Sequence, residues 1–365
     1  VKATPNEGYR VASVIIDGGK PDNFTTNNKA YEKEFVMTKD HKFEVTFAVN
    51  AYKVSLAKDD KTVRYIIEDE NGKDKKVTAI GGVEHGSDVA AIITPPAGKN
   101  IEAIKAEGAT TAEYILNEDG KTYTLTLKNI TSDIALSVEY SDIQKTEDKV
   151  TFTEPVSIDD SGKTVINYIY VKSDDNTKNS VKLETDYQYI RVNGIFSNKN
   201  TYTIDENTLI ESIELYSSTE KKWYSVNLEK NMQITFDDEA PKFGEETGRY
   251  NEETKIEDYT SDGSVLIKGS VTDNTDNDKY YGTKFVYWSK TKTEDKKISL
   301  SVLKSEFTEI ELSNSEFTIE EKNAEAGTTI YYLYAVDRSG NISDEKQINV
   351  YIDNVKPTIK KGDIT

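Results

Sequence analysis

The feature that most constrains this chain is that it contains part of itself twice. "VKATPNEGYRVASV" from Val1 aligns with "AIITPPAGKNIEAI" from Ala91, sharing Thr-Pro-x-x-Gly and then apolar residues at Val11 and Val14 against Ile101 and Ile104. The two units also close alike, with "FVMTKDHKFEVTF" in the first and "LKNITSDIALSVEY" in the second. Met37 falls on Ile130, Asp40 on Asp133, and Phe43, Val45 and Phe47 on Leu136, Val138 and Tyr140. That last alternation predicts a strand with one buried face. Self-similarity anchored at both ends points to small units laid in tandem rather than one large core. The second copy also carries "AYKVSLAKDDKTVRYIIEDENGKDKKVTAIGGVEHGSDVAAI", which the first lacks. The chain is therefore expected to begin inside a truncated unit, 1–49, followed by a full one, 50–141.

The second half repeats at longer spacing. "ITFDDEAPKF" from Ile234 matches "VYIDNVKPTI" from Val350, sharing Asp237 with Asp353 and Pro241 with Pro357. Pro cannot donate to a ladder, so an apolar strand followed by Asp-x-x-x-Pro marks a seam between domains. The seams predict domains at 142–239 and 240–355, with 356–365 as a tail or the start of another unit. In the last domain "GSVLIKGSVTD", "KFVYWSK" and "FTEIELSNSEFTI" read as strands. "GTTIYYLYAVDRSGN" then places Tyr331, Leu333 and Ala335 on one strand face and Tyr332, Tyr334 and Val336 on the other. Asp337 to Asn341 supplies turn chemistry, and Ile348, Val350 and Ile352 form the return strand.

Two stretches resemble known families. "VEHGSDVAAIITPPAGKNIEAI" with "YTLTLKNITSDIALSVEY" resembles the divergent internalin-type B-repeats of bacterial surface proteins. That resemblance implies a small β-rich unit built on a grasp-type sheet, and no activity. "YAVDRSGN" with "VYIDNVKPTI" is similar to the bacterial immunoglobulin-like repeats of surface and adhesion proteins, which implies β-sandwiches. The expected fold class is therefore all-β and mainly antiparallel, with B-repeat or grasp-like units followed by immunoglobulin-like sandwiches.

Composition narrows the function. The 365 residues suffice for two to four domains, and 23 Tyr suit half-buried strand faces. A net charge of -19 repels phosphate backbones and anionic lipid, so neither nucleic acid nor membrane-surface binding is expected. With no Cys, disulfides, thiolate zinc sites and Cys nucleophiles are excluded. No apolar run is long enough to cross a bilayer, and neither a signal peptide nor a wall-sorting tail is visible.

Motifs for chemistry are few. His41 and His85 are the only histidines, no Gly-x-Ser-x-Gly elbow accompanies them, and both read as exposed loop residues. No Gly-rich phosphate loop is present. "VTDNTDNDKYYG" places Asp273, Asp276 and Asp278 on one loop, and Asp237, Asp238 and Asp353 lie at the seams. Oxygen ligands so placed suit Ca²⁺, although the EF-hand Gly and terminal Glu are missing and a solvated turn accounts for the same residues. Trp288 reads as a buried sandwich residue, whereas Trp223, after a charged turn, is left between two readings, packing and stacking on a sugar.

No catalytic, cofactor-binding or metal residue is assigned on this basis. The expected protein is a non-catalytic, monomeric, extracellular segment of a bacterial surface protein. Its role is adhesion to a host or neighbouring-cell protein or glycan, or spacing a binding head from the cell wall. The alternative is an accessory carbohydrate-binding region of a secreted polysaccharide-active enzyme.

Overall fold

A computed structural model describes residues 1–68, 71–153, 157–158, 166–172, 180–249, 263–273, 283–293, 297–353 and 358. Strands dominate, and Leu300–Glu306 is the one α-helix among the described residues. No helix there is long and apolar enough to cross a membrane. The chain divides into two compact units: Val1–Lys149 with Thr185–Thr201 and Ser212–Asn227, and Val150–Glu184 with Tyr202–Glu211 and Leu228–Thr365. Strands from the stretch 142–239 contribute to both.

In the first unit the repeat recurs as geometry. Tyr9–Ile16 pairs antiparallel with Phe43–Val49, setting Val11 opposite Phe47 and Val14 opposite Val45, with a bulge between Val11 and Ser13. Lys99–Lys105 pairs with Ile134–Asp142, setting Ile101 opposite Tyr140 and Ile104 opposite Val138, with a bulge between Ile101 and Ala103. The residues matched in sequence thus hold the same register and the same irregularity. Just past each second strand, the chain makes one more bond back to the repeated glycine that precedes the first strand. Asn50 donates to the Gly8 carbonyl at 2.8 Å and Ile143 to the Gly98 carbonyl at 3.0 Å.

The full copy is built from two sheets. One is ordered Lys99–Lys105, Ile134–Asp142, Ala51–Leu56, Ala79–Glu84. The other is ordered Ala109–Leu116, Tyr123–Ile130, Val89–Ile93, Val63–Glu68, Asp74–Val77. Alternating residues such as Tyr65, Ile93, Leu125, Leu127 and Leu136 are fully buried in one core. The sheet holding Gln144–Thr146, Lys222–Val226, Ile213–Ser217 and Tyr189–Val192 adds Tyr216 and Trp223 to that core.

In the second unit Ile166–Lys172 pairs in parallel with Asn231–Asp237, from Ile166 opposite Asn231 to Lys172 opposite Asp237. Farther along, Gly327–Asp337 is the inner strand between Thr283–Ser289 and Lys346–Ile352. The alternation read from sequence separates its two faces. Tyr331, Leu333 and Ala335 lie in one core with Val265, Ile267 and Val350. Tyr334 and Val336 lie in another with Tyr287 and Leu303. The second face is covered by the helix, which the strand reading of this region did not include. Ser299 caps it, accepting from the Val302 N–H at 3.4 Å, and Leu303 is its buried residue.

Candidate functional site

Three strands of the second unit end in aspartates that meet. Asp237 is the last residue of Asn231–Asp237, Asp273 follows Val265–Thr272, and Asp337 is the last of Gly327–Asp337. One carboxylate oxygen of each lies within 4.8 Å of the others. Asp237 is 2% exposed and Asp337 4%. The turn after Asp337 fixes the group. Gly340, at φ +88, reverses the chain so that Asn341 faces back. The Asn341 backbone N–H then donates to Asp337 Oδ1 at 2.8 Å, and its Nδ2 donates to Oδ2 at 2.9 Å. Nδ2 also donates to the Asp237 carbonyl at 3.1 Å, tying two of the strand ends together.

Burial, joined by the nearby Asp237 and Asp273 charges, pushes the Asp337 carboxyl up to about 7 against the two Asn341 hydrogen bonds. Like charges so close cannot all ionise cheaply, so the cluster holds either a proton or a compensating cation. Its donors are all oxygen, which suits a hard cation of the calcium class better than zinc. Asp237 and Asp273 had each been singled out in sequence, but with chain neighbours that the fold leaves aside. Asp238 and Asp353 are exposed and outside the cluster, and Asp276, Asp278 and Pro357 lie outside the described residues. Its sequence context gives Asp337 only a turn role. All three follow an apolar β-run, in "ITFD", "SVTD" and "YAVD", and that shared placement at strand ends was the available signal.

The histidines are not the exposed loop residues expected. His41 Nδ1 lies 2.8 Å from Asp17 Oδ2, and its ring packs near Phe35 and Phe43. His85 Nδ1 lies 3.1 Å from the Tyr52 hydroxyl. A Cβ placed on Gly8, at φ +78, would come within 2.6 Å of the His85 ring, so His85 packs on the repeat's turn. Of the two readings of Trp223, packing is the one the fold supports. It is 3% exposed, the Arg191 guanidinium sits 3.9 Å from its ring centre, and Tyr216 and Phe196 flank it. A face covered by Arg191 has no room for a sugar. Trp288 packs, half-buried, against the core and beside Tyr331.

No family model matches the chain, and no curated protein matches it. Among solved structures, the fibronectin(III)-like modules of Clostridium thermocellum CbhA align over 58% of this chain and 100% of theirs, at 9% identity and TM-score 0.33. The FN1-FN3 domains of chicken CNTN1 align over 73% and 95%, at 11% identity and TM-score 0.27. Domains 7, 8 and 9 of the S-layer protein SbsC align over 81% and 83%, at 12% identity and TM-score 0.19. The class itself, an all-β chain of small, mainly antiparallel sheets in tandem, rests on the ladders described above.

Proposed function

We propose that this chain is a non-catalytic, monomeric, extracellular segment of a bacterial surface protein, with B-repeat-like units followed by immunoglobulin-like sandwiches. It carries tension between a surface and a distal binding head, as a stalk or as part of an adhesin. One observation carries the reading: among the described residues, an earlier strand pairs in parallel with a later one three times. Ala51–Leu56 pairs with Ile134–Asp142, Gln144–Thr146 with Lys222–Val226, and Ile166–Lys172 with Asn231–Asp237. Tension applied at the chain ends pulls the earlier strand of such a pair from its start and the later strand from its end. In a parallel pair those points lie at opposite ends of the ladder, so its evenly spaced bonds are loaded together in shear. In an antiparallel pair they would coincide, and the bonds would open singly. Forced unfolding is governed by the barrier to that opening.

Single-molecule pulling tests this, and the absence of native Cys simplifies attachment. Handles at the chain ends should give distinct unfolding events at high force. Handles on an Ile166→Cys, Asn231→Cys variant load the same end of one parallel pair and should peel it at markedly lower force. Equal forces in the two geometries would remove the basis of the stalk reading.

The second reading, an accessory carbohydrate-binding region of a secreted polysaccharide-active enzyme, is favoured by a cavity in the second unit whose wall is rich in lysine and aromatic residues.

A further inference from the structure

The chain carries 65 acidic against 46 basic residues, yet one cavity gathers cations. It measures about 390 Å³ and is lined by Lys172, Lys284, Lys304 and Arg338. They come from four separate segments: the end of Ile166–Lys172, the start of Thr283–Ser289, the helix Leu300–Glu306, and the turn after Gly327–Asp337. The fold, and not a local run of basic sequence, brings them together. Two are steadied by rings. The Lys284 ammonium lies 5.2 Å from the Phe285 ring centre, and the Arg338 guanidinium lies 5.7 Å from that of Tyr170. Asp337 is the carboxylate of the wall, and both its oxygens accept hydrogen bonds from Asn341. Tyr287 and Leu300 add apolar surface.

We infer that this cavity binds an acidic saccharide unit, its carboxylate held among the four cations and its ring against the apolar wall. Three features select that class. The volume falls within the range of organic ligand sites and would leave an inorganic anion mostly surrounded by water. The wall combines apolar surface with charge, as an amphipathic sugar acid requires. Lys172 and Lys304 are exposed, so the cavity opens to solvent and admits a residue of a longer chain. The net charge of -19 opposes any polyanion at a distance, so the local cations act at contact, on one or two anionic groups. The choice of a polysaccharide over a small metabolite rests on the extracellular reading above.

Titration calorimetry of the whole chain with trigalacturonate, its methyl ester and inorganic phosphate tests the inference. Trigalacturonate should bind saturably and weaken as salt rises, with the uncharged ester at least about tenfold weaker. Lys284→Ala and Lys304→Ala should each weaken binding about fivefold, and Lys304→Arg should restore most of it. Lys304 is exposed on its helix, so its variants are expected to fold, which unchanged circular dichroism would verify. No saturable binding, equal binding of acid and ester, or phosphate binding as tightly as the sugar acid each overturns the inference. The pulling experiment above judges the stalk reading separately, so the two can fail independently.

Discussion

Trp223→Ala is expected to destabilise the first unit by about 3–5 kcal/mol, the cost of a large aromatic removed from a packed core. The ring holds more than its own area. It packs against Phe196 and Tyr216 and carries Arg191 on one face. Arg191 in turn donates through Nη1 to Glu214 Oε2 at 2.6 Å and through Nη2 to the Gly120 carbonyl. Without the indole, the Arg191–Glu214 ion pair loses its apolar cover, and the cavity left behind admits water beside it. Asn100→Ala is the companion variant. Asn100 is 1% exposed, donates through Nδ2 to the Trp223 carbonyl at 2.8 Å, and accepts from the Trp223 N–H through Oδ1 at 2.8 Å. Truncating it strands two buried backbone groups, at about 1–3 kcal/mol each. Hydrogen exchange reads both effects. Protection across Tyr123–Ile130, which shares this core, should collapse in Trp223→Ala and fall less in Asn100→Ala. Undiminished protection in Trp223→Ala would show that the ring is not structural and would return it to consideration as a binding surface.

Trp223 also shows where sequence reasoning stops. A charged turn, "STEKKWYSV", precedes it and suggests exposure. Arg191 and Phe196 cover its ring, Asn100, 123 residues away in sequence, ties down its backbone, and no local pattern carries either. The repeat was legible because both copies keep their apolar spacing, yet one of its signals went unread. Val11 and Val14, three apart, would face opposite sides of a regular strand, and so would Ile101 and Ile104. Val11 and Val14 are each 1% exposed, and the bulge after Val11 turns them to one core. Apolar-x-x-apolar within a strand, at the same place in both copies, was a bulge written in the sequence. Along Gly327–Asp337 alternation sufficed, since its two faces meet two different cores. The aspartate cluster was half legible. Its members sit at the ends of strands whose existence could be read, whereas the sheet order that brings those ends together could not.

In a chelator-containing buffer, the stability of the second unit should fall as pH rises from 5 to 8. The sign follows from the direction of the shift at Asp337, whose carboxyl is pushed from the ordinary carboxylate range up to about 7 by burial and by Asp237 and Asp273. Between those values the folded chain keeps a proton that the unfolded chain has released, so the unfolded state gains with each step in pH. The contribution is complete below the unfolded carboxylate range and is lost as pH passes about 7, for a total on the order of a few kcal/mol. Other carboxylates act oppositely but in another window. Glu321 and Glu345 in the same unit are held below their usual range by hydrogen bonds from Lys290 and Tyr331, and from Tyr334 and Gln347, which outweigh their burial. Their stabilisation is present above the unfolded range and lost only in acid, so above pH 5 they add a constant. Asp273→Asn removes one of the two like charges without touching the Asn341 bonds. It should flatten the decline and leave the variant more stable than the parent at pH 8. A carbon-13 titration of the Asp337 carboxyl gives the second reading, with a midpoint near neutrality in the parent and a lower one in Asp273→Asn. A parent midpoint near 4, or stability that climbs through the same interval, would mean that the three carboxylates do not share a proton, and that their closeness has no electrostatic consequence in solution.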